Sequence, residues 1–152
     1  SELKPSSLYG RTKLFAETII RDLCHKNNIP LCIGRVFSMH DERQVGSFLR
    51  PNLVKRIDEE DLSMPFVLPG AQSVRDFLTA EQVARYIIQL SLARYCGDIN
   101  IASGKPMTVA QFASTLTGSA LEVIHTGPVN SIYADISKLK SFLEKERTSE
   151  DP

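Results

Sequence analysis

Apolar residues recur at four-residue steps between positions 7 and 28. Phe15, Ile19 and Leu23 form one row, and Ala16, Ile20 and Cys24 form an adjacent one. Such spacing keeps side chains on one side of a helix, so the pattern predicts a helix with a broad apolar stripe. Asn27, Asn28 and Pro30 end it. Residues 31–37 are a short, mainly apolar run, the pattern of a buried parallel strand. A helix is expected from 46 to about 60, with Pro51 either in its first turn or kinking it. Short strands are expected at 65–68 and 74–78, around the turn Pro69-Gly70. Thr79 with Gln82, and Thr108 with Gln111, have the spacing of capping boxes, in which the two side chains satisfy each other's backbone donors. The first opens a helix continued by Val83, Ile87 and Leu90, and the second opens a helix ended near Gly118. Further strands are expected at 99–102 and 121–125. Asp135 is placed to cap a last helix to about Lys145. Residues 146–152 read as a polar, frayed tail. Alternating helices and strands predict an α/β fold.

Composition narrows the class. The chain has 152 residues, of which 42% are apolar, enough for a core. It contains no apolar run of the roughly eighteen residues that a membrane helix needs. Residues 1–7 are polar and lack the apolar centre of a signal peptide, so none is expected. Eighteen basic residues balance eighteen acidic ones, which argues against nucleic-acid binding through phosphate neutralisation. Cys24, Cys32 and Cys96 form no C-x-x-C pair, as expected of free thiols in a reducing cytoplasm. His25, His40 and His125 have no metal-ligand spacing, so surface or packing roles are expected and no metal site is predicted. There is no internal repeat or low-complexity segment.

The candidate chemistry sits at the start of the first helix. Tyr9 and Lys13 are four residues apart and share a helical face. An ammonium held beside a phenol stabilises the phenolate, and such a tyrosine can act as general acid or base on a hydroxyl or ketone. The pair can equally be an exposed couple on a docking helix.

The segment from Pro5 to Lys13, PSSLYGRTK, resembles the P-x-S-x-Y-G-x-S-K element of the extended short-chain dehydrogenases/reductases, the NAD-dependent epimerases, dehydratases and reductases of nucleotide sugars. Four further stretches resemble that family in the same order. They are RVFS (35–38), SVRDFLT (73–79), GDINIASG (97–104, continued by MTV at 107–109) and ADISKL (134–139). The family's glycine-rich turn, which holds the cofactor pyrophosphate at a helix N-terminus, has no counterpart in this sequence. The chain therefore resembles the C-terminal portion of such an enzyme. The resemblance implies a partial Rossmann-like unit at 1–45 with the tyrosine–lysine helix and a parallel strand, a substrate-binding portion at 46–145, and the tail.

By resemblance, Tyr9 would be the catalytic acid/base and Lys13 would hydrogen-bond the nicotinamide ribose of NAD or NADP. Val36 matches a position whose backbone N–H meets the nicotinamide amide. Ser38 replaces the usual asparagine at the sugar, and a hydroxyl cannot reproduce an amide's fork. Phe48 and Leu49 fall where relatives line the base and sugar cleft; helix core is the other reading. Arg75 resembles the arginine that grips the nucleotide-sugar diphosphate, a task that suits a guanidinium fork; an ion pair with Asp76 or Glu81 is the alternative. The second arginine that relatives often carry before the A-D-x-S-K element is absent from 126–131. Three functions follow for a cytoplasmic protein: an enzyme half that is inactive alone, a non-catalytic nucleotide-sugar-binding module, or a structural subunit. A homodimer through the helix at 7–28 is expected.

Overall fold

The computed structural model of the chain describes Pro5 and residues 7–150. In chain order the elements are α1 (Leu8–Lys26), β1 (Cys32–Val36), β2 (Met39–His40), α2 (Leu49–Glu59), β3 (Phe66–Pro69), β4 (Val74–Arg75), β5 (Leu78–Thr79), α3 (Ala80–Leu92), β6 (Gly97–Ile101), β7 (Met107–Thr108), α4 (Val109–Thr117), β8 (Val123–Thr126) and α5 (Ser137–Glu150). The fold is α/β. β1 pairs in parallel with β6, Cys32 lying opposite Gly97 and Val36 opposite Ile101. β2 with β5 and β3 with β8 are also parallel, and β4 with β7 is antiparallel.

Both predicted capping boxes form. Thr79 accepts the Gln82 N–H while the Gln82 side chain accepts the Thr79 N–H, and Thr108 and Gln111 do the same. Gly118 caps α4 in the left-handed conformation at φ 69°, where a Cβ would be strained. Pro51 lies in the first turn of α2, where its lack of an N–H costs no helical bond. Asp135 accepts the Ser137 N–H at 2.9 Å and so steadies the start of α5. That helix continues to Glu150, beyond the expected end near Lys145, so the segment read as a frayed tail is helical as far as 150; positions 151 and 152 lie outside the described residues. The run at 74–78 is two strands rather than one. β4 and β5 join different partners because Asp76, between them, turns inward to bond Ser103 and Gly104.

Two cores hold these elements. One gathers Leu78, Val83, Leu90, Ile99, Ile101, Leu139 and Phe142 from β5, α3, β6 and α5. The other gathers Leu53, Phe66, Leu68, Val109, Phe112 and Ala113 from α2, β3 and α4. They interleave along the sequence, and β1, from the first forty-five residues, is hydrogen-bonded to β6 from the second stretch.

α1 belongs to neither core. Its only buried residue is Cys24, and Phe15 is 68% exposed, with Ile19, Ile20 and Leu23 also exposed. The apolar stripe is present, but this chain does not cover it. Among the described residues, the second edge of β1 also pairs with no strand.

Candidate active site

α1 opens at Ser7, whose hydroxyl accepts the Gly10 N–H at 3.0 Å. A short polar side chain suits this position because the first helical N–H groups lack intrahelical partners. Tyr9 lies in the first turn, 71% exposed. Lys13 stands over it, with Nζ 5.4 Å from the ring centroid. The structure brings these two predicted residues together on an open face.

Four charges fasten this helix to the sheet. Glu17 of α1 accepts Arg35 Nε at 2.9 Å and Nη2 at 2.6 Å. Arg35 of β1 also reaches Asp98 of β6 at 3.0 Å. Arg21 of α1 donates to both Asp98 oxygens at 2.6 Å. Arg35 beside Glu17 holds its carboxyl below the ordinary glutamate value, against a smaller opposing effect of burial. Burial pushes Asp98 upward, but the two arginines together outweigh it and hold Asp98 below the ordinary aspartate value. Among the described residues, these bonds are the polar links between α1 side chains and the sheet. Sequence reading missed them because apolar periodicity ignores charges. The signal is the row Tyr9, Lys13, Glu17, Arg21, one residue every fourth position.

Val36 ends β1 and is exposed. Ser38 is half-buried, and its carbonyl accepts the Leu78 N–H at 3.1 Å. Phe48 is the residue before α2 and Leu49 its first residue. Both are exposed, so the helix-core reading of these two does not hold; Leu53 fills that place. Arg75 makes no ion pair with Asp76 or Glu81. Its guanidinium donates to the Val74 carbonyl at 2.9 Å and to the Asn130 carbonyl. Asp76 instead takes Ser103 and Gly104, and Glu81 takes Arg85 at 3.0 Å.

A cavity of about 1030 Å³ lies elsewhere, lined by His40, Arg50, Phe77, Thr79, Met107 and Phe112 among others. Phe77 and Phe112 stack at 4.0 Å, with His40 edge-on to both. Burial, assisted by Arg50, lowers the His40 pKa. None of Tyr9, Lys13, Val36 or Arg75 lines it. No group of three or more His, Cys, Asp or Glu that could hold a metal occurs among the described residues.

A family model described as GDP-mannose 4,6 dehydratase matches residues 1–147. The chain belongs to this family. The GDP-mannose 4,6 dehydratase family chain also shares its fold with solved epimerases and dehydratases of the extended short-chain dehydrogenase/reductase class. UDP-glucuronic acid 4-epimerase from Bacillus cereus, solved with NAD, is 25% identical at TM-score 0.73, covering 93% of this chain and 47% of that one. UDP-N-acetylglucosamine 4-epimerase from Methanobrevibacter ruminantium is 24% identical at TM-score 0.72, covering 91% and 48%. dTDP-glucose 4,6-dehydratase from Bacillus anthracis, also with NAD, is 21% identical at TM-score 0.75, covering 94% and 48%. The chain spans about half the length of these structures. A comparison with curated proteins gives no significant match. No helix among the described residues is long and apolar enough to cross a membrane.

Proposed function

We propose that this chain supplies the tyrosine–lysine helix and the substrate-side elements of an NAD(P)-dependent nucleotide-sugar epimerase, dehydratase or reductase. One observation carries the reading: in a chain of this family, Tyr9 and Lys13 stand one turn apart on the open face of α1, with Lys13 Nζ over the phenol ring. Both side chains are exposed, and the exposed end of β1 at Val36 offers a backbone N–H. These groups suit the nicotinamide end of the cofactor. The pyrophosphate end needs converging backbone donors of a glycine-rich turn, and this sequence contains no such turn. When bound, NAD(P) supplies hydride acceptance and donation at a sugar carbon. The chain's own part is proton transfer at the Tyr9 hydroxyl oxygen, with the Lys13 ammonium stabilising negative charge there. Arg75, with Ser38, Phe48 and Leu49, forms the nucleotide-sugar side.

By itself the chain neither binds NAD or NADP tightly nor turns over. Calorimetry with each cofactor tests this: micromolar or tighter binding overturns it. In a protein joining the chain to a glycine-rich cofactor half, Tyr9→Phe cuts turnover by about a hundred- to ten-thousandfold, as loss of a general acid/base does.

A specific observation favours a second reading, a nucleotide-sugar-binding module without redox chemistry. The Arg75 guanidinium is already engaged by two carbonyls, and Ser38 stands where relatives carry asparagine. Full nucleotide-sugar binding with no turnover in the joined protein selects that reading. Three free cysteines suit a cytoplasmic setting. The exposed stripe of α1 suits a second copy of the chain, giving a homodimer.

A further inference from the structure

The helix that carries Tyr9 and Lys13 is docked by charge. α1 contributes no residue to either core, and Cys24 is its one buried residue. A helix attached through an apolar face resists salt; one attached through ion pairs does not. Here the attachment is Glu17 with Arg35 at 2.6 Å, Arg21 with Asp98 at 2.6 Å, and Arg35 with Asp98 at 3.0 Å. The side chains of Glu17, Arg35 and Asp98 are between 19% and 30% exposed, sheltered enough for the Glu17–Arg35 and Arg35–Asp98 pairs to exceed the small contribution of surface ion pairs, while Arg21, 42% exposed, is the more open member. Arg35 bonds Glu17 through two separate nitrogens, the fork arrangement that fixes direction as well as distance, whereas Arg21 reaches both Asp98 oxygens through Nη2 alone. Arg35 immediately precedes Val36 on β1, and Glu17 is one turn beyond Lys13. The quartet thus ties the ridge bearing Tyr9 and Lys13 to the strand whose end carries the candidate cofactor edge.

We propose that Glu17, Arg21, Arg35 and Asp98 are positioning residues that set Tyr9 and Lys13 against the C-terminal end of β1, and that ionic strength or loss of one member releases the helix. The catalytic meaning of that placement rests on the function proposed above; the docking does not. Cys24 reports the docking, since it is 8% exposed and is freed when α1 lifts.

The experiment measures alkylation of Cys24 by iodoacetamide, followed by peptide mass spectrometry because Cys32 and Cys96 are exposed. It uses the full 152-residue chain, at a concentration where scattering shows a single species. Arg35→Gln is expected to raise the Cys24 rate roughly tenfold, in line with losing charge-assisted bonds. Arg35→Lys, which keeps the charge and loses the fork, restores part of the protection. Wild type is expected to react faster in about 1 M salt than in about 0.1 M, as the screening length falls from about 10 to about 3 Å. Amides of α4, in the second core, keep their exchange protection throughout. An unchanged Cys24 rate in Arg35→Gln overturns the proposal. If that variant also loses protection in α4, the wild-type salt series decides alone, and a flat series overturns the proposal. Turnover of Tyr9→Phe reads the chemistry separately, so failure of one leaves the other standing.

Discussion

Asp76 and Ser103, twenty-seven residues apart, meet through a single oxygen: Asp76 Oδ1 accepts both the N–H and the hydroxyl of Ser103, each at 2.6 Å. The second oxygen accepts the Gly104 N–H at 3.1 Å, and Asp76 is wholly buried. Asp76→Ala takes the acceptor from three donors on Ser103 and Gly104, residues that are themselves half-buried. Unsatisfied buried groups cost about 1–3 kcal/mol each before relaxation, so a loss of about 3 kcal/mol or more is expected in urea denaturation of the chain. Asp76→Asn, which keeps one acceptor, should lose less. A shift under about 1 kcal/mol for the alanine variant would mean that water replaces the carboxyl at little cost.

The attachment of α1 should weaken in acid. Glu17 and Asp98 both have carboxyls held below their ordinary values of 4.5 and 3.8. A depressed carboxyl contributes stability above its unfolded value and loses it as pH falls through the folded one. The groups facing these two carboxyls are the quartet's own Arg21 and Arg35, Lys138 of α5, which donates to the Asp98 carbonyl at 3.2 Å, and the Cys32 thiol, raised chiefly by burial. Neither arginine nor lysine loses charge in acid, so the carboxyls set the window. Protection of Cys24, read by acid-tolerant hydrogen exchange of its own amide and its neighbours, should stay level from neutral pH to the ordinary carboxylate range and fall below it. Loss of protection near neutrality would point away from these carboxyls.

Arg75→Ala, in a protein joining the chain to a cofactor half, should weaken nucleotide-sugar binding about ten- to hundredfold, as loss of charge-assisted hydrogen bonds does. NAD binding should change little. Because the guanidinium also bonds the Asn130 carbonyl, the loop before α5 should gain mobility in the same variant, visible as faster exchange at Ile132, whose N–H bonds the Val74 carbonyl at 2.9 Å. An unchanged Michaelis constant for the nucleotide sugar would leave Arg75 a loop fastener only.

Self-association is expected from the open stripe of α1. Phe15 and Ile19 are exposed there beside Leu8 and Leu23, and apolar patches beyond a few hundred Å² commonly find partners. Light scattering at micromolar concentration should show dimers, and Phe15→Glu or Ile19→Glu should abolish them. A dimer of normal affinity in both variants would place the interface elsewhere, for instance at the unpaired edge of β1.

Much of the local structure could be read directly. Thr79 with Gln82 and Thr108 with Gln111 announce their helices because a capping box is complete within four residues. Pro51 and Gly118 act through their own backbone geometry and are equally legible. The split between β4 and β5 was hidden because its cause, Ser103 and Gly104, lies nearly thirty residues away. The stripe of α1 was found, but periodicity marks which face is apolar and is silent on what covers it. At the candidate site, Tyr9 and Lys13 were visible as a pair, whereas Glu17 and Arg21, on the same row, gained meaning only when β1 and β6 brought Arg35 and Asp98 beneath them. Phe48 and Leu49 were left between cleft and helix core, and their exposure at the start of α2 removes the second reading.

The interleaving of the two cores has a consequence for how the chain comes off the ribosome. β1 waits for β6, and β3 waits for β8, so neither strand has its partner until more than fifty residues later. Leu139 and Phe142, which complete the first core, lie beyond both β6 and β8 in the chain. Long-range parallel pairing is slow to form and leaves apolar strands open in the interval. A nascent chain stopped after α4 would hold β1 against β6 without α5 to cover them, and β3 with no partner at all. Neither core can close on local contacts alone, and α5, through Leu139 and Phe142, is a lock on the sheet.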